Sequence, residues 1–307
     1  MNTRAHSRHV EDPVHVPLVI GHRGASGLSP ENTLAAFRLA MALGADGVEM
    51  DVQLSADDQP VVIHDRRVDR TTGGVGPVEQ FTADQLTQLD AGAWFRRRLA
   101  IRPRIRAMAK KAAIAAGNGR AGLSTEAVPT LASVLELIAT AATRRVYIEL
   151  KTTPTRRHVL LDRTISVVGR SGLADSITLL SFDHEIIRLS KEVAPWLRTA
   201  ATFPMPGRTF ATPREIVQAA IRAAADEVAL HFGLANLRTV RTLHDSGLSV
   251  SAWTVNSKIL MRRLIASGVD SIMTNFPNRL IEAIASPRRP LMFGRRGGKS
   301  AQSANRK

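Results

Sequence analysis

Nine short runs rich in apolar and β-branched residues recur along the chain, and most of the gaps between them have the length and patterning of helices. The runs are Leu18–Gly21, Val48–Val52, Val61–His64, Val146–Leu150, Ile177–Phe182, Thr199–Phe203, Glu227–Phe232, Leu248–Val255 and Ser271–Asn275. Between them lie Glu31–Leu43, Leu131–Thr143, Arg156–Arg170, His184–Val193, Pro213–Ala225, Leu234–Ser246, Ser257–Ser267 and Asn278–Ala285. Gly44, Gly172, Gly247 and Gly268 close several of these stretches, as helix C-caps do. Strands separated by helices pair in parallel through crossovers. Taking Val48–Val52 and Val61–His64 as one strand plus an extra segment leaves about eight β/α units, the number that closes a (β/α)8 or TIM barrel. An open doubly wound sheet would call for G-x-G-x-x-G after its first strand, and Gly21, Gly24 and Gly27 do not fit that spacing.

The charge is concentrated outside this repeating body. The formal net charge is +15, yet Arg96–Arg120 holds nine basic residues and Pro287–Lys307 seven, with no acid in either segment. The remainder is close to neutral. Residues 1–16 are expected to form an N-terminal extension, 17–286 the barrel, and 287–307 a disordered basic tail of Pro, Gly, Ser and cations. The first basic segment, about 96–122, reads as an insertion after the second β/α unit, either a loop or a short basic helix. Such cations suit attraction to anionic lipid headgroups; specific nucleic-acid binding is not expected, because aromatic residues for base stacking are nearly absent there. No cysteine occurs, which excludes disulfides and thiolate chemistry. The N-terminal stretch lacks an apolar signal core, and no uncharged apolar run reaches about 18 residues, so a cytoplasmic chain without a transmembrane helix is expected.

Several of the apolar runs end in ionisable side chains. "LVIGHR" delivers His22 and Arg23, "GVEMDVQ" carries Glu49 and Asp51 on one face, "VVIHD" ends at His64, and "VYIELK" carries Glu149 and Lys151 on one face. One carboxylate or histidine near a strand end is more often structural than functional. Four successive segments ending this way are different, because in a parallel barrel all C-terminal strand ends meet at one mouth, where the chemistry of this fold sits. Burying so many charges costs several kcal/mol per ion unless a metal or anion compensates. Glu49, Asp51 and Glu149 offer hard oxygen donors suited to Mg²⁺ or Ca²⁺. Arg23 and Lys151 supply cations for phosphate oxygens, and His22 and His64 can pass a proton at neutral pH. Together these groups describe metal-assisted cleavage of a phosphodiester.

The same residues resemble the glycerophosphodiester phosphodiesterase family. The matching stretches are "GHRGASGLSPENTLAAF", "GADGVEMDVQLSADDQPVVIHDRRVDRTTGGVG", "VPTLASVLEL", "VYIELK", "LLSFD", "SAWTVN" and "GVDSIMTNFP", running in the family's order from Leu18 to about Pro277. The resemblance implies a TIM barrel and hydrolysis of glycerophosphodiesters to sn-glycerol 3-phosphate and an alcohol. It also implies His22 and His64 as the general acid/base pair, Glu49, Asp51 and Glu149 as divalent-metal ligands, and Arg23 and Lys151 as phosphate contacts. In the route proposed for such enzymes the glycerol 2-hydroxyl attacks phosphorus, and water then opens the cyclic phosphate. Phe182 and Trp253 match aromatic positions that line the mouth, with core packing as the alternative role. Asp58 stands where a turn glycine is common, and the basic insertion falls where the family has a short stretch before "PTL".

Two other readings fit the same residues: a lysophospholipase D using this site on an acylated substrate, and a non-catalytic membrane-surface or nucleic-acid binding protein with a vestigial barrel. "SPENT" reads as a helix start with Ser29 as N-cap and Pro30 at the first helical position, Glu31 lying close enough to brace Arg23 or the metal. "RTTGGVG" reads as a flexible rim loop of structural role. The other histidines follow no ligand spacing; of these His231 ends a strand.

Overall fold

The computed structural model describes residues 15–115, 117, 124–205 and 212–286. The readings of the N-terminal extension before residue 15, of part of the insertion, and of 287–307 as a basic tail therefore lie outside the described residues. The strands are β1 Leu18–His22, β2 Gly47–Leu54, β3 Pro60–Val62, β4 Arg145–Leu150, β5 Ile177–Ser181, β6 Arg198–Phe203, β7 Glu227–His231, β8 Ser249–Trp253 and β9 Ser271–Thr274. The helices are α1 Leu34–Ala42, α2 Ala83–Thr87, α3 Ala93–Ile101, α4 Pro103–Ala115, α5 Leu131–Ala139, α6 Arg157–Ser171, α7 His184–Val193, α8 Pro213–Arg222, α9 Leu237–His244, α10 Lys258–Ser267 and α11 Pro277–Ala285.

Eight of the strands close on themselves in parallel. The order runs β1-β2-β4-β5-β6-β7-β8-β9 and returns to β1, with β3 lying antiparallel on β2. This is a TIM barrel, with β3 as the extra segment. Ile20, Tyr147, Leu180, Ala200, Ala229 and Met273, from six different strands, meet in one buried cluster, as only a barrel interior allows. Alternate residues such as Val48, Met50, Val52, Val146, Ile148 and Leu150 face outward into the shell of helices. Within the barrel the Tyr147 hydroxyl donates to Glu227 Oε1 at 2.8 Å and lies 3.1 Å from Ser271 Oγ.

Helix α1 starts later than its sequence pattern suggests. Thr33, not Ser29, is its N-cap, its hydroxyl accepting from the Ala36 N–H at 3.2 Å. The reason is local: Asn32 has φ +56°, which interrupts any helix begun at Ser29. Asp58 also takes a left-handed φ of +55°, so the loop tip keeps the backbone shape for which glycine is the usual choice. Gly172 and Gly268 are left-handed C-caps of α6 and α10.

The described residues of the basic insertion up to Ala115 fall in two helices, α3 and α4, with Arg102 between them, lying between β3 and α5, ahead of the helix that returns the chain to β4. They close on a small core of Phe95, Leu99 and Ala109, while Ala112 joins the barrel's outer core. Most of their cations are exposed, among them Arg97, Arg102, Arg104, Arg106, Lys110 and Lys111. Among the described residues no helix is long and apolar enough to cross a membrane.

Candidate active site

Strand register decides which side chains share the mouth. His22 of β1 pairs with Glu49 of β2, and Asp51 of β2 pairs with Glu149 of β4. Glu49, Asp51 and Glu149 are all buried, and one carboxylate oxygen from each lies within 4.8 Å of the others. Glu49 Oε2 accepts the Arg23 backbone N–H at 2.9 Å, whereas its Oε1 is buried with no hydrogen-bond partner. Burial, then the negative charge of Asp51 and Glu149, pushes the Glu49 carboxyl well above the usual carboxylate range. Glu149 is raised by burial and by Asp51. An orphaned carboxylate oxygen facing two further carboxylates is a donor set that suits a hard divalent cation, which would remove their mutual repulsion. The residues fit such an ion.

Cations brace this trio. Arg23 Nε lies 3.0 Å from Asp51 Oδ2, and Lys151 Nζ lies 3.2 Å from Asp51 Oδ1 and 2.5 Å from Glu149 Oε1. Burial opposes ionisation of Asp51, but Arg23 and Lys151 outweigh it and hold the carboxyl below its ordinary range. Asn32 Nδ2 donates to Asp51 Oδ2 at 2.8 Å, so its left-handed backbone serves to aim an amide at the site. Arg23, itself at φ +54°, donates from Nη1 to Glu31 Oε1 at 2.9 Å. Glu31 thus braces Arg23. The turn is kept tight by Gly24, at φ +77°, where a Cβ would sit 2.5 Å from the Ala36 carbonyl carbon.

A second brace crosses from the loop after β3. Arg70 donates to both oxygens of Glu31 (3.0 and 2.6 Å) and both of Asp65 (2.5 and 3.2 Å). Asp65 Oδ1 is in turn 2.6 Å from His64 Nδ1. Burial works to raise Asp65, but its hydrogen bonds from Arg70 and His64 prevail and lower it to about 2. Gln53 donates from Nε2 to the carbonyls of Ile63, His64 and Asp65 at 2.8, 3.0 and 2.8 Å, fixing the backbone that carries the imidazole.

The two histidines occupy different surroundings. His22 Nδ1 donates to Asn275 Oδ1 at 2.8 Å, leaving Nε2 as the bare nitrogen, 3.8 Å from Glu49 Oε2 and 3.4 Å from Thr254 Oγ1. Burial and the neighbouring Arg23 push this ring down to about 4. His64 is a third exposed and borders a cavity of about 600 Å³ together with Glu149, Lys151 and Phe182. Phe182 is 45% exposed at the mouth and meets Trp253 edge-on at 5.4 Å. Trp253 packs against the interior cluster, and its indole N–H donates to the Ala229 carbonyl at 3.0 Å. His231 packs on Trp253 at 5.6 Å.

All nine residues singled out from the sequence therefore lie on β1, β2, β4 and β8, in the loops that follow β1, β4 and β5, or, for His64, in the loop after β3. Asn32, Asp65, Arg70 and Asn275 were not singled out. Asn275 follows β9 directly, so the strand-end rule that found His22 would have found it had uncharged side chains been counted.

Residues 22–279 match the model of the glycerophosphoryl diester phosphodiesterase family. The chain belongs to this family. Membership makes it a phosphoric diester hydrolase. It is 35% identical over 269 residues to a glycerophosphodiester phosphodiesterase of Caldanaerobacter subterraneus subsp. tengcongensis, covering 87% of this chain and 97% of that one. A glycerophosphodiester phosphodiesterase of Bacillus subtilis is 30% identical over 269 residues, covering 85% of this chain and 84% of the other. Among solved structures, an Oleispira antarctica phosphodiesterase in complex with the product sn-glycerol-3-phosphate superimposes with a TM-score of 0.72 at 26% identity, covering 88% of this chain and 98% of that chain.

Proposed function

We propose that this member hydrolyses glycerophosphodiesters to sn-glycerol 3-phosphate and an alcohol, using a divalent ion, Mg²⁺ or Ca²⁺, held by Glu49, Asp51 and Glu149. The observation that carries this reading is the orphaned Glu49 oxygen beside two other buried carboxylates, with an imidazole on either flank. The bound ion would draw charge from the phosphoryl oxygens. Arg23 and Lys151, already turned toward Asp51, hold the substrate's phosphate against the mouth. His22 presents a bare Nε2 because Asn275 occupies Nδ1, and it takes the proton of the attacking glycerol 2-hydroxyl. His64, held by Asp65 at Nδ1, protonates the departing alcohol from Nε2, and the roles reverse when water opens the cyclic phosphate. Phe182 and Trp253 form the apolar wall of the mouth.

The exposed cations of α3 and α4 flank Ile101, 78% exposed, and Ile114, 61% exposed, a pattern that supports peripheral attraction to an anionic membrane. A substrate derived from lipid would then be met near its source.

The test is release of glycerol 3-phosphate from glycerophosphocholine, with EDTA and with Mg²⁺ or Ca²⁺ restored. His22→Ala and His64→Ala should each lower kcat by about 10²-fold or more with folding intact. Activity that survives EDTA, or either variant within about twofold of wild type, sinks the reading. Choline release from lysophosphatidylcholine in place of that activity would make the enzyme a lysophospholipase D.

A further inference from the structure

A second cavity, of about 300 Å³, adjoins the mouth between the loop after β3 and the loop after β4. It shares Arg66, Lys151 and Thr152 with the catalytic cavity, so the two adjoin at these residues. Its wall beyond Lys151 holds Arg66, Arg67 and Arg156 against a single acid, Glu79. Arg156 is anchored on Asp58 and the Ser55 carbonyl, and Arg67 lies 3.0 Å from Asp69. The exposed Arg66 guanidinium has no hydrogen bond or ion pair to any described residue. A wall with an excess of one sign of charge attracts the opposite sign, and a guanidinium fork matches phosphate oxygens. In the reaction proposed above Arg23 and Lys151, not these arginines, hold the scissile phosphate.

We infer that this cavity receives a second phosphoryl group, carried by the alcohol half of the substrate, so that the enzyme favours glycerophosphodiesters whose alcohol is itself phosphorylated. The inference rests on the reaction proposed above for the adjoining mouth. Lys151, which touches Asp51 and Glu149, lines this cavity together with the arginines, and Arg66 also borders the catalytic cavity. A molecule with one phosphate over the carboxylates therefore has its alcohol half within reach of Arg66.

The experiment compares glycerophosphoinositol 4-phosphate with glycerophosphoinositol, the same alcohol without the second phosphoryl group. kcat/KM is measured with metal, and Kd by calorimetry in EDTA, for the wild type and the Arg66→Gln/Arg67→Gln double variant. Gaining one charge-assisted contact should favour the phosphorylated compound by about tenfold in wild type. The double variant should bring that ratio within about twofold, and Arg66→Glu should invert the preference. Equal wild-type constants, or a preference that survives in the double variant, overturn the inference. If neither compound is hydrolysed, the Kd ratio still decides the cavity, and the failure belongs to the proposed reaction. Stimulation of glycerophosphoinositol turnover by inorganic phosphate would overturn a substrate subsite in favour of an effector site.

Discussion

Replacing Arg70 by Gln should separate stability from catalysis. The side chain is 44% exposed, and its four hydrogen bonds join Glu31, behind Arg23, to Asp65, behind His64. Exposed ion pairs are weak, so thermal unfolding should register a loss of about 1 kcal/mol or less. The kinetic loss should be far larger. With Arg70 gone, Glu31 keeps only its bond from Arg23, and Asp65 loses the clamp that aims it at His64. Displacements of about 1 Å in a reacting constellation cost on the order of 10²-fold in rate, which is about 2.7 kcal/mol of transition-state stabilisation. The expected result is therefore a kcat lower by about 10- to 100-fold with little change in Tm. It would be measured from initial rates on glycerophosphocholine at saturating metal. Arg70→Lys should recover only part of the rate, because an ammonium cannot fork between two carboxylates. A kcat within about twofold of wild type would refute the positioning argument, and a fall in Tm large enough to explain the rate loss would reduce Arg70 to a structural brace.

Two predictions concern the scaffold. Gly24→Ala should destabilise by about 2–4 kcal/mol by denaturant unfolding, since it adds a left-handed alanine to a backbone contact at 2.5 Å; a loss below 1 kcal/mol would mean that the turn moves freely against α1. Tyr147→Phe should cost about 1–3 kcal/mol by removing the donor to buried Glu227. Burial raises the Glu227 carboxyl above its ordinary value, so the folded state holds this proton more tightly than the unfolded chain, and stability falls as pH rises from the unfolded value toward the folded one. Losing the Tyr147 donor raises Glu227 further, which should make the ΔTm of the variant greater at pH 8 than at pH 5; an equal ΔTm at both would contradict this.

The barrel was legible because its strands are apolar on both faces and its helices are punctuated by glycine, so both periods show in a single pass. The carboxylate trio was legible for the opposite reason: carboxylates on such strands are conspicuous against Val and Ile. What stayed hidden depends on backbone shape or on distance along the chain. The left-handed Asn32 moved the helix start from Ser29 to Thr33 and turned an apparent first-turn residue into a ligand of Asp51. Arg70 reaches Glu31 across 39 residues from a stretch whose Thr and Gly content says only that it is a loop. Neither contact has a period that a sequence can display.

The charge balance ties these pieces together. Glu31, Glu49, Asp51, Asp65 and Glu149 set five ionisable acids against Arg23, Arg70 and Lys151, and each of these three cations already bridges two carboxylates. Counting these acids as ionised and leaving the histidines aside, five against three leaves two negative charges in excess, the charge of one divalent cation. On the proposed chemistry the ion makes the site neutral, and the phosphodiester then adds one negative charge, matched by the proton on the histidine that serves as general acid. Removing Lys151 or Arg23 would upset this balance before any substrate arrives. On that same proposal, their positions against Asp51 are as much a condition for the metal site as a means of holding phosphate.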